Sequence, residues 1–142
     1  MDKYRRDKPN LRGFKGMNLT ELLTEYEQTS AGAWLRETPW RGMDVRSMTG
    51  IEGRRQAMYS ALFDRLYVAP DKNAPVWFGS VVHELRHAYQ RHRFGLLLYM
   101  LLKIVRPVIE RPAKQAELDA TAWLCKKNEE ELERKLQERK RK

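Results

Sequence analysis

In NLTELLTEYEQ the apolar residues Leu19, Leu22, Leu23 and Tyr26 fall on one helical face, Asn18 can cap the helix, and Glu21 supplies a carboxylate at its third position. The segment that follows, TSAGAWLRETPWRGMDVRSMTGIEG, is interrupted by Gly and Pro and holds no sustained period. Trp34 and Trp40 within it read as packing residues. From Arg54 to Ala69, RRQAMYSALFDRLYVA is too densely apolar to separate a helix from two short strands. LYVA before Pro70 is its most strand-like part, which predicts a short hairpin or a single edge strand. The linker PDKNAP leads into a helix from about Pro75 to Arg93, with Asn73 and Pro75 as start signals.

A second helix is expected over FGLLLYMLLKIVRPVIE, stopping or kinking at Pro107. Its run FGLLLYMLLKIV, residues 94–105, is too short for the ~20 residues that span a bilayer and carries Lys103, so it reads as a buried helix. Pro112 is expected to open a third helix, with Leu118, Ala122 and Cys125 at helical spacing, that continues into a solvated extension where Glu131 and Lys135 pair at i,i+4. The expected organisation is a basic arm over 1–17, one domain over 18–128 and a charged helical tail over 129–142, with a mainly helical α+β fold.

The formal net charge of +9 makes the surface attractive to phosphates, anionic lipid or acidic proteins. Much of it sits in YRRDKPNLRGFKG and KLQERKRK, where it is easily solvated, so the termini are candidates for weak nucleic-acid binding and no more. Cys125 is the single cysteine, which excludes an intrachain disulfide. MDKYRRDKPN lacks the apolar core of a secretory signal, and with the cysteine count this predicts a cytoplasmic protein, with a virion-associated one as the alternative.

VVHELRHAYQ, residues 81–90, holds two of the three histidines. In a helix His83 and His87 project from one face and can offer their imidazoles to one cation. Glu84 then lies beside that cation without having to bind it, where a general base for an activated water belongs. The flanking residues are largely apolar, and histidines in such a setting need a partner.

Open catalytic zinc sites usually have three protein ligands, so one more is needed. The pattern HExxHxxGxxH would require Gly at 90 and His at 93, where this chain has Gln90 and Arg93, and His92 is turned off the ligand face. RPAKQAELDATAWL offers Glu117 as the third ligand, on a helix whose alanines at 113, 116, 120 and 122 permit close approach. Asp119 is the candidate to support a ligand histidine through its second nitrogen or to take the ligand role itself, and Glu110 is the remaining alternative.

On VVHELRHAYQ and AELDATAW the sequence resembles the gluzincin-type zinc metallopeptidases, particularly the small minimal-zincin domains of bacteria and phages such as the SprT-like and ImmA/IrrE-like groups. The resemblance implies a minimal zincin, with a strand before the motif helix that can hold an extended substrate by edge pairing and a later helix bearing the third ligand. It implies zinc on His83, His87 and Glu117, Glu84 as general base, and hydrolysis of a protein or peptide substrate, as an endopeptidase rather than an exopeptidase. Tyr89, Tyr99, Tyr67 and Arg86 are candidates for the oxyanion donor such a reaction requires. Two other functions fit the same residues: a non-catalytic zincin-like module for binding or assembly, and a DNA-associated peptidase positioned by the basic termini.

Overall fold

The computed structural model describes residues 4–5, 19–48, 56–69 and 74–141. The fold is α+β and mainly helical. A four-stranded sheet is built from β1 (Tyr4–Arg5), β2 (Asp44–Met48), β3 (Ala57–Ser60) and β4 (Arg65–Val68) in the order β1-β2-β4-β3. β2 and β4 run parallel, and both outer pairings are antiparallel. Four α-helices, α1 (Leu19–Tyr26), α2 (Ala74–Phe94), α3 (Leu96–Leu102) and α4 (Arg106–Arg141), and a 3-10 helix over Ala33–Glu37 complete the described chain.

The face predicted for α1 is the buried one, with Leu19, Leu22, Leu23 and Tyr26 all in the core. They meet Trp77, Phe78, Val81, Val82 and Leu85 of α2, Leu66 and Val68 of β4, and Ala116, Ala120 and Leu124 of α4. Trp40 is buried and donates its indole N–H to Glu27, a buried carboxylate that also pairs with Arg41. That guanidinium holds the Glu27 carboxyl below its ordinary range.

The hairpin ahead of α2 is β3–β4, but LYVA is not at the edge. β4 is paired on both sides, which suits its three buried residues, and β3 is the open edge. Asp64 closes the turn in the left-handed region at φ 51°. The expected start signal Asn73 and the cap Asn18 lie outside the described residues, as does the basic arm apart from Tyr4–Arg5, which form β1.

Two expectations about residues 94–112 are corrected. The apolar run does not form a buried helix: Leu97 is 77 % and Ile104 79 % exposed, and Tyr99 alone within α3 is fully buried. A seven-residue helix wedged between α2 and α4 has only one side to offer the interior. Its end comes at Leu102, so Pro107 opens α4 instead of closing a helix, and its missing N–H falls among donors that have no intrahelical partner anyway. Pro112 is consequently inside α4, leaving the carbonyl of the exposed Val108 without its i+4 donor.

α2 and α4 pack antiparallel: Gly79 faces Thr121, His83 meets Glu117, and Gln90 meets Ile109. At Gly79 the helices nearly touch. A Cβ there would overlap Thr121 Oγ1 and come within 2.9 Å of the Glu117 carbonyl oxygen, which cannot rotate away. Gly79→Ala is therefore expected to destabilise the fold by about 1–3 kcal/mol in denaturant unfolding, through forced separation of the two helices. α4 then continues to Arg141 as an exposed helix in which Lys135 and Glu131 approach to 3.8 Å.

Candidate metal centre

Helical spacing stacks His83 and His87 on α2 with ring centroids 5.0 Å apart. Their Nε2 atoms face the same carboxylate, that of Glu110: His83 Nε2 is 3.3 Å from Oε2 and His87 Nε2 is 3.2 Å from Oε1. Among the described residues this is the one trio of His, Cys, Asp or Glu whose ligand atoms all lie within 4.8 Å of one another. The expected third residue, Glu117, takes a different place. Its Oε1 is 2.9 Å from His83 Nδ1, behind the ring, and its Oε2 accepts from Lys114 Nζ at 2.7 Å. The angle at His83 Nδ1 is not that of a hydrogen bond, which leaves this buried atom against a carboxylate but without a hydrogen-bond partner.

Both glutamates reach the histidines because seven residues are two turns of helix, within about 20° of one face. Asp119, two residues on from Glu117, is turned to the other side of α4. It accepts from Gln115 at 2.9 Å, and neither the supporting nor the ligand role expected of it is seen.

The second nitrogen of His87 is held by a residue that the sequence presented only as a missing glycine. Gln90 donates from Nε2 to the Ile109 carbonyl at 2.9 Å, so its Oε1 must be the atom 3.0 Å from His87 Nδ1. An amide oxygen only accepts, hence Nδ1 carries a proton, and in the neutral ring Nε2 presents its lone pair towards Glu110. Burial, opposed by the Gln90 bond and the Glu110 charge, pushes the His87 imidazole below its ordinary value, which favours the same neutral form. A polar side chain three residues past the second histidine of the motif was the available signal for Gln90.

Glu84 points from α2 towards the sheet, where Oε2 accepts the backbone N–H of Tyr59 on edge strand β3 at 3.2 Å. Its carboxylate, the two imidazoles and Glu110 share an open cleft of about 580 Å³ walled by Met58 and Tyr59 on one side and by Tyr99, Lys103 and Arg106 on the other. Of the four oxyanion candidates, only Tyr99 lines this cleft. Burial, with Glu84 and Glu110 adding to it, pushes its phenol up to about 12, so it is a proton donor at neutral pH. Arg86 is stacked over Trp34 and Tyr89, Tyr89 reaches Glu37, and Tyr67 is in the sheet. His92 sits away from the ligand face, bound to both oxygens of Asp64 at 3.1 and 3.0 Å.

A divalent cation fits this donor set. Two imidazoles and one carboxylate converge, Gln90 holds the His87 ring through its other nitrogen, and all three residues line the open cleft. Comparison of the chain with protein-family models, with curated proteins and with solved structures gave no match.

Proposed function

We propose that the chain is a zinc-dependent peptidase in which His83, His87 and Glu110 hold the metal and Glu84 is the general base. The observation that carries this reading is the convergence of three ligand atoms within 4.8 Å in the cleft that also receives the Glu84 carboxylate. It keeps the metal class of the gluzincin resemblance and exchanges the third ligand, with Glu117 left as a charge contact behind His83, 2.9 Å from Nδ1. When bound, zinc supplies Lewis acidity, lowering the pKa of a water towards ~7 and polarising the scissile carbonyl.

The protein's own groups do the rest. Glu84 accepts a proton from the attacking water on a carboxylate oxygen and delivers it to the departing amine. Tyr99 donates its phenolic hydrogen to the carbonyl oxygen as negative charge gathers there. Edge strand β3 lies at this cleft with its Tyr59 N–H on Glu84, and an extended peptide can pair with the remaining outward backbone groups of that edge.

The test is metal content together with hydrolysis. Protein purified under zinc-replete conditions is expected to hold about one equivalent and to cleave members of a broad peptide library, with activity removed by a chelator and restored by zinc. Protein without bound metal under those conditions would sink the site. Stoichiometric zinc with no cleavage of any peptide or native protein would leave the binding module as the better reading.

A further inference from the structure

The most exposed large apolar side chains among the described residues are Ile104 and Leu97, at 79 % and 77 %. They belong to α3 and the turn after it, where Leu98, Met100, Leu101 and Val105 are also exposed. A second apolar protrusion stands next to it: the β3–β4 turn exposes Leu62 and Phe63 at 66 % and 62 %. The two are anchored together, since Ala61 of that turn packs with Tyr99 of α3 and Ile109 of α4, and its carbonyl accepts from Arg91 Nε. Contiguous apolar exposure of this kind marks a surface that is covered in use.

Charge decides what covers it. Residues 94–109 contain no Asp or Glu, the adjoining Glu110 and Asp64 are held on His83/His87 and on Tyr59/His92, and the exposed cations Arg93, Lys103, Arg106 and Arg111 lie within or beside this stretch. A symmetric contact with a second copy would bring Lys103 and Arg106 of one chain towards those of the other. An anionic bilayer accepts the apolar side chains among its acyl chains and the cations among its phosphates. Among the described residues no helix is long and apolar enough to cross a membrane, and α3, at seven residues, is about 10 Å long.

We infer that α3 and the following turn, with Leu62 and Phe63 beside them, insert into the interfacial layer of an anionic lipid bilayer, with Lys103 and Arg111 pairing with headgroup phosphates. Tyr99, Lys103 and Arg106 also wall the metal cleft, so that cleft is brought to the membrane surface. Membrane binding does not depend on the peptidase reading, and its test uses no activity.

Flotation of the full chain with phosphatidylcholine vesicles, and with vesicles that also contain phosphatidylglycerol, provides the test. Wild-type protein is expected to float with the anionic vesicles and not with the neutral ones. The double change Leu97→Asn, Ile104→Asn leaves charge unaltered at two exposed positions and is expected to reduce partitioning at least about ten-fold. Lys103→Gln and Arg111→Gln are each expected to reduce it about five-fold. No flotation of the wild type would overturn the inference, as would equal binding to neutral vesicles. Unchanged binding by the double variant would also overturn it and assign the interaction to the basic termini. A wild-type dimer in sedimentation that the double variant dissociates, with no vesicle binding, would overturn it in favour of a second copy.

Discussion

Replacing Glu84 with Gln is expected to lower kcat/KM for peptide hydrolysis by about 10²–10⁴-fold, or ~3–5 kcal/mol of transition-state stabilisation, while zinc stoichiometry stays unchanged. The substitution isolates one property. Gln has the same length and shape, and its oxygen can still accept the Tyr59 N–H that orients residue 84 towards β3. It has no basic oxygen to take the proton of water. His83, His87 and Glu110 are untouched, so metal content, measured on the same preparation, separates a lost base from a lost site. Glu84→Asp should fall between the two, because the shorter side chain retains the base but draws it back from the cleft. Wild-type rates in Glu84→Gln would exclude the assigned role.

How far the site could be read from sequence follows from how locally each part is determined. His83, Glu84 and His87 are fixed by helical spacing within five consecutive residues, and α2 spans Ala74–Phe94 against an expected Pro75 to Arg93. The third carboxylate depends on where a separate helix begins and on its register against α2, neither of which is local. A helix start at Pro112 leaves Glu110 before the helix. In the fold α4 starts at Arg106 and carries Glu110 and Glu117 on one face. The buried reading of residues 94–105 failed for a related reason: hydrophobicity states that a face prefers to leave water, but not that the chain has an interior left to receive it. For β3 and β4 the hairpin was legible and the strand order was not, since the pairing of β2 with β4, its second neighbour in sequence, has no local signature. Gln90 was visible only in its failure to be glycine.

Glu110→Ala and Glu117→Ala, compared by competition with a chelator, distinguish the two carboxylates. Both are expected to weaken zinc binding, and the order is the prediction. Loss of a residue that orients a ligand histidine costs about 10–100-fold in affinity, and Glu117→Ala should fall in that range, because Glu117 touches His83 at Nδ1, the nitrogen turned away from Glu110. Glu110→Ala should exceed about 100-fold, because Glu110, alone among the described residues, faces Nε2 of both histidines, and its removal leaves two ligands where an open site needs three. Gln90→Leu supplies the internal calibration. It removes the acceptor that sets the His87 tautomer and leaves all three ligands in place, so its cost should match that of Glu117→Ala. If Glu117→Ala proved the more damaging change, with Glu110→Ala in the range of Gln90→Leu, the ligand set would be His83, His87 and Glu117, and His83 would have to turn its ring so that α4 meets the metal two turns further along.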